Sequence, residues 1–152
     1  MKLTDILSPE SISLDMKAEG KRDALEELCR LLADAKKLPD PQALLQTLVD
    51  RESLGSTGIG QGVAIPHGKS PSVPAQAAAL GLSKKGVDFD ALDGEPVYIL
   101  FLVAAPPEAA GPHLKALAKI SRLLKDKPFR QALRDAVSVD DILKIIGRED
   151  DL

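Results

Sequence analysis

From Lys21 to Leu38 the apolar residues Ala24, Leu25, Leu28, Leu31, Leu32 and Ala35 recur at steps of three and four, which predicts an amphipathic helix. Asp40-Pro41 predicts the start of a second, because a carboxylate can cap free N–H groups and proline suits the first helical position. Leu44, Leu45, Leu48 and Val49 give that helix its buried stripe to about Leu54, and Gly55 is placed to end it. Between Gly55 and Gly62 glycine recurs with Ser56 and Thr57, so a tight loop with accessible backbone N–H groups is expected before a short strand, Val63-Ala64-Ile65, that stops at Pro66.

The pattern then changes period. Ala77 to Leu82 and Val97 to Ala104 read as strands, the second apolar on both faces as a central strand covered by helices would be. An extended piece over 86–90 and a turn at Asp93-Gly94 lie between them. Pro112 to Lys125 is helical, with Leu114, Leu117, Ala118, Ile120, Leu123 and Leu124 as its apolar face. Lys127 to Val137 and Val139 to Ile146 follow, the last opened by a Ser138/Asp141 capping box and stopped by Gly147. Helices at both ends of the chain around a sheet in its middle predict one α/β domain over residues 1–152, core about 5–147, with a central mixed β-sheet flanked by helices on both faces.

Composition narrows the classes. The 152 residues suit one domain, and 44% apolar with 28% charged is ordinary for a globular chain. A net charge of −3, 3% aromatics and no Trp give neither the basic surplus nor the stacking platforms of a nucleic-acid binder. The lone Cys29 excludes an internal disulfide, and with two histidines it leaves no zinc ligand set, so a reducing, cytoplasmic setting is expected. Cys29 falls mid-helix and is read as a packing residue. The stretch from Val97 to Ala105 is less than half of the ~20 residues a spanning helix needs, and the polar N-terminal stretch lacks a signal-peptide core, so neither membrane insertion nor export is expected.

Chemistry concentrates near His67, which follows the glycine loop, precedes Gly68-Lys69-Ser70 and has Arg51 upstream at a helix end. Gly-Lys-Ser here is not a nucleotide P-loop: five residues separate Gly62 from Gly68 instead of four, and Pro71 and Pro74 block the helix that would receive phosphates. No Gly-x-Ser-x-Gly elbow supports a serine hydrolase. A neutral imidazole can attack phosphorus without first losing a proton, provided its second nitrogen is held as a donor, for which a backbone carbonyl would serve. A second histidine, hydroxyls, N–H groups and a guanidinium could hold the phosphoryl oxygens.

The run Arg51-Glu52-Ser53-Leu54-Gly55-Ser56-Thr57-Gly58-Ile59-Gly60-Gln61-Gly62-Val63-Ala64-Ile65-Pro66-His67-Gly68-Lys69 resembles the active-site signature of the enzyme IIA proteins of the bacterial phosphotransferase system, mannitol/fructose type. The Gly-Ser-Thr-Gly-Ile-Gly form is most similar to the nitrogen-regulatory branch. Residues 87–97 and His113-Leu114 extend the resemblance over nearly the whole chain. It implies that His67 accepts a phosphoryl group on Nε2 from a phosphohistidine of an HPr-like carrier protein, with no nucleotide, cofactor or metal. It also implies that Arg51 and His113 line the site and that Thr57 adds a hydroxyl. Glu52 is read as structural, since a carboxylate facing a phosphohistidine would repel it.

For the nitrogen-regulatory branch the resemblance implies output through protein contacts, with a sensor kinase or a potassium transporter as the type of target, switched by the charge on His67. Two alternatives stand beside it: a fructose- or mannitol-specific subunit that passes the group to an enzyme IIB, and a regulator that binds without being phosphorylated. Lys115, Lys119 and Arg122 offer a basic helix face, and the apolar surroundings of the His67 loop a second, for docking.

Overall fold

A computed structural model describes residues 2–150. The chain opens with a short helix α1 (Leu3–Ile6) and strand β1 (Leu7–Ser13), then helices α2 (Lys21–Asp34) and α3 (Pro41–Ser53). Three short strands follow, β2 (Gly58–Gly60), β3 (Val63–Ala64) and β4 (His67–Lys69), then the long β5 (Ala77–Val87) and β6 (Val97–Ala105). A 3-10 turn at Pro107–Ala109 leads into α4 (Ala110–Leu124), α5 (Lys127–Asp135) and α6 (Val139–Glu149).

The sheet runs β1-β5-β6-β3-β2, with β4 also paired to β6 beyond the end of β3. It is mixed, because β5 and β6 are antiparallel while β1 is parallel to β5 and both β3 and β4 are parallel to β6. The two-sided apolar pattern of β6 is now explained. Leu100, Leu102 and Ala104 point into the core under α2 and α3, and Ile99, Phe101 and Val103 into the core under α4, α5 and α6. The period-two alternation of side chains sends neighbours to opposite faces, so a strand buried on both must be apolar throughout. Helices cover both faces as expected, and no helix among the described residues is long and apolar enough to cross a membrane.

The caps expected from sequence form: Asp40 accepts from the Ala43 N–H at 3.2 Å and Ser138 from the Asp141 N–H at 3.1 Å. The reciprocal arm at Ser138 differs, since the Asp141 carboxylate accepts from Val137 rather than from Ser138. Several bounds also differ. The first long helix ends at Asp34 instead of Leu38, where Lys36 takes a positive φ of 60°. The helix expected to end at Val137 stops at Asp135, with Ala136 extended. The last helix runs through Gly147 to Glu149, because its end is anchored: the buried Asp150 carboxylate accepts from Leu3 N–H (2.7 Å), Thr4 N–H (3.2 Å) and the Thr4 hydroxyl (3.0 Å), and pairs with Lys119 at 3.2 Å. Leu3 is fully buried, so packing extends past the expected 5–147 at both ends.

Candidate functional site

The glycine-rich segment is more ordered than a loop. After Ser53 the chain leaves α3 through Gly55, at φ 149°, and residues 58–60 form β2, an edge strand antiparallel to β3. A side chain at 58 would place its Cβ 2.9 Å from the Ala91 backbone, so only glycine lets this edge lie against the 89–92 segment, where Leu92 N–H donates to Gly58 C=O at 2.9 Å. The expected strand 63–65 is shorter, 63–64, and His67 stands on a strand of its own, β4, opposite Val103 of β6. Pro66 separates β3 from β4, while its carbonyl still accepts from Val103 N–H at 3.0 Å.

Gly68 brings helix and strand together: a Cβ there would lie 3.0 Å from Thr47 Cγ2 on α3. That close approach sets Arg51, in the last turn of α3, beside His67. Arg51 Nη1 donates to the Gly55 carbonyl at 2.9 Å, which folds the guanidinium back over the segment that follows the helix. A cavity of about 210 Å³ results, lined by Arg51, Ser56, Thr57, Ile59, Ile65, His67, Leu117 and Ser121.

Within it His67 is half-buried, and its Nδ1 lies 2.8 Å from the Ile65 carbonyl oxygen. A carbonyl only accepts, so Nδ1 carries a proton, and in the neutral ring the lone pair lies on Nε2. The His113 ring centroid is 6.0 Å away, tilted by 49°. His113 is buried on α4 and its Nδ1 has no hydrogen-bond partner. Burial pushes its pKa down to about 4, helped by the nearby His67 and Lys69, so the ring is neutral at pH 7. Of the four residues implied by resemblance, Arg51, Thr57 and His67 line one cavity and His113 abuts it.

Thr57 differs in detail from the expectation. Its hydroxyl donates to Glu52 Oε2, and its N–H donates to Glu52 Oε1 at 3.0 Å. The single hydroxyl proton is thus given to Glu52 and is not offered to the cavity. Glu52 is buried and paired with Lys21 Nζ at 3.1 Å, so it turns inward as a brace for the 55–57 segment. Ser121 is a lining residue that the sequence pattern does not single out. Its spacing of eight from His113, with Leu117 between at four, is the signal that could find it, since such positions share one helix face. Lys119 leaves the expected basic docking face. Its Nζ is held by the Asp150 carboxylate and, at 2.6 Å, by the Asp150 carbonyl.

A mixed sheet between two helical layers is the fold that this chain shares with solved enzyme IIA proteins. The solved nitrogen regulatory protein IIA-Ntr of Neisseria meningitidis superimposes with a TM-score of 0.87 at 36% identity, over 93% of this chain and 97% of that one. Residues 5–149 match the family described as phosphoenolpyruvate-dependent sugar phosphotransferase system, EIIA 2, and the chain belongs to that family of phosphoryl carriers. A nitrogen regulatory protein of Bradyrhizobium diazoefficiens is 38% identical over 97% of this chain and 95% of its own length. The fructose-specific EIIABC component of Bacillus subtilis is 42% identical over 99% of this chain, which spans only 24% of that longer protein.

Proposed function

We propose that this chain is a nitrogen-regulatory enzyme IIA that takes a phosphoryl group on His67 Nε2 from the phosphohistidine of an HPr-like carrier. The observation that carries the reading is the 2.8 Å contact of His67 Nδ1 with the Ile65 carbonyl, which leaves Nε2 as the nucleophile. The Nε2–P bond forms as the donor N–P bond breaks, and the donor nitrogen recovers its lone pair. The Nδ1 proton stays in place, so no base is required. Arg51 offsets the phosphoryl charge and His113, neutral at pH 7, donates an N–H to an oxygen without adding charge of its own. Thr57 acts as a positioning residue through Glu52. Exposed Ile59, on the cavity wall, and exposed Leu54 and Leu114, next in sequence to Gly55 and His113, offer the carrier an apolar docking rim. Output follows from the added charge on His67, which changes affinity for regulated protein targets such as a sensor kinase or potassium transporter in the cytoplasm.

Intact mass after incubation with phosphoenolpyruvate, enzyme I and the carrier tests this. One acid-labile phosphoryl adduct is expected in the wild type and none in His67→Ala; an adduct that survives His67→Ala would overturn the assignment. The 42% identity to a fructose-specific component supports a second reading, a sugar-specific subunit. Rapid onward transfer to a fructose-type enzyme IIB would favour it over the regulatory one.

A further inference from the structure

On the β3–α5 side of the molecule, away from the His67 cavity lining, two cavities of about 460 and 220 Å³ share Arg134 as a common wall. The smaller is walled by Lys127, Arg130, Gln131 and Arg134, residues at steps of three and four and hence one face of α5. Lys84 and Tyr98 close the larger one from the sheet, and Leu14, Leu82 and Val137 give it an apolar side. Four cations therefore face this groove in a chain whose net charge is −3. Asp135 is the only carboxylate among the described lining residues, and it accepts from Gln131 Nε2 at 2.9 Å.

The groove is also preorganised. Tyr98 is held edge to edge between Gly62 and Gly86, where added Cβ atoms would come within 3.2 and 3.1 Å of its ring carbons. The Arg134 guanidinium lies over that ring with its carbon 4.0 Å from the centroid, a cation–π contact that restrains its donor fork. Arg130 is held too, by Nη1 bonds of 2.9 Å to the Leu124 and Lys125 carbonyls at the end of α4. Lys127 and Arg134 stand seven positions apart on the helix, about 10 Å at 1.5 Å per residue, so the positive charge is extended along the groove.

We propose that this groove binds a small organic bisphosphate, an extended metabolite with a phosphate at each end. One phosphate takes the Arg134 fork and Lys84, the other the Lys127–Arg130 end, and the organic body lies against Tyr98 and Val137. The volume is that of a metabolite pocket rather than of a flat protein interface. A monophosphate engages one end only and binds more weakly. The site is separate from the phosphoryl acceptor, since none of its lining residues lines the His67 cavity.

Amide and side-chain NMR shifts during titration with glucose 1,6-bisphosphate, glucose 6-phosphate and inorganic phosphate test the proposal, on the unphosphorylated full chain. Saturable shifts are expected for Tyr98, residues 127–137 and the 84–86 segment. Affinity for the bisphosphate should exceed that for the monophosphate by about tenfold, the size of one lost charge-assisted contact. Arg134→Gln and Lys127→Gln, both exposed, should each weaken the bisphosphate by about tenfold while amide shifts outside the groove stay those of the folded wild type. Equal affinity for all three anions, shifts centred on His67 and Arg51, or no saturation at millimolar ligand would each overturn it. The phosphorylation assay is a separate readout, so failure of one reading leaves the other standing.

Discussion

Removing the Glu52 carboxylate should unbrace the segment that shapes the cavity. In Glu52→Ala the buried Thr57 N–H and hydroxyl lose their acceptor together, and Lys21 loses its ion-pair partner. Orphaning a buried donor costs about 1–3 kcal/mol, and breaking a buried charge pair about 3–5 kcal/mol when the survivor stays buried. Here the Lys21 side chain is 22% exposed and can rehydrate, which trims the second contribution, so the expected total is about 3–4 kcal/mol. For a domain of this size that lowers the melting temperature by roughly 10 °C. Glu52→Gln keeps one acceptor oxygen and the shape, and should lose about 1–2 kcal/mol. Urea unfolding followed by circular dichroism gives both values, provided the slope with denaturant matches wild type. A Lys21→Met/Glu52→Gln cycle isolates the ion pair, with a coupling of about 1 kcal/mol expected. A Glu52→Ala loss below about 1 kcal/mol at constant slope would refute the brace, because a buried N–H cannot be orphaned that cheaply.

Arg51→Ala should leave the fold intact, slow phosphorylation by about tenfold or more and shorten the life of the adduct, measured by intact mass over time; an unchanged rate would remove Arg51 from the site. His113 is bound neutral with a pKa of about 4, below the unfolded value near 6.5, so the unfolded chain binds the extra proton between these values and stability falls as pH drops from about 6.5 to 4. Discounted for screening, His113 should contribute about 2 kcal/mol to that slope, and His113→Gln should flatten it in urea midpoints at pH 7 and 4.5. Phosphorylating His67, with the two rings 6.0 Å apart, puts close to two negative charges beside His113 and should raise its pKa by about 2, read from carbon shifts of the ring; an unmoved pKa would refute that proximity in the phosphorylated state. Cys29, buried and with its thiol pushed up to about 12, should be inert to thiol reagents until urea unfolds the chain.

Long amphipathic helices and the two central strands were legible because each repeats one period over many residues, and their caps sit in the same sequence windows. What escaped was short or non-local. The Leu7–Ser13 strand contains Pro9 and Glu10 and is apolar only at intervals, so its sheet membership rests on parallel pairing with β5 about seventy residues away. β2 and β4 are three residues each and exist because β3 and β6 supply their hydrogen-bond partners. Composition marks 55–62 as a tight loop, whereas Gly58 lies in β2 and is needed for the close approach to Ala91, which local reasoning cannot see.

The same division governs the site. Residue type alone suggested a histidine with one nitrogen tied to a carbonyl, and the tie is local, two residues back at Ile65. The proximity of Arg51 to His67 depends instead on α3 lying on β4 through Gly68, and that of His113 on the register of β4 against β6 under α4. Glu52 shows why neighbours in sequence take opposite tasks. Residues 51 and 52 differ by about 100° around α3, and while Arg51 lines the cavity Glu52 is turned into the interior. Its charge is tolerable there only because Thr57 and Lys21 meet it, and by taking both Thr57 donors it leaves the cavity's positive side to Arg51. An aspartate at 52 would shorten that reach by one methylene and could not meet both donors without pulling the 55–57 segment inward. The length of the glutamate is therefore part of how the fold holds the 55–57 segment that lines the cavity.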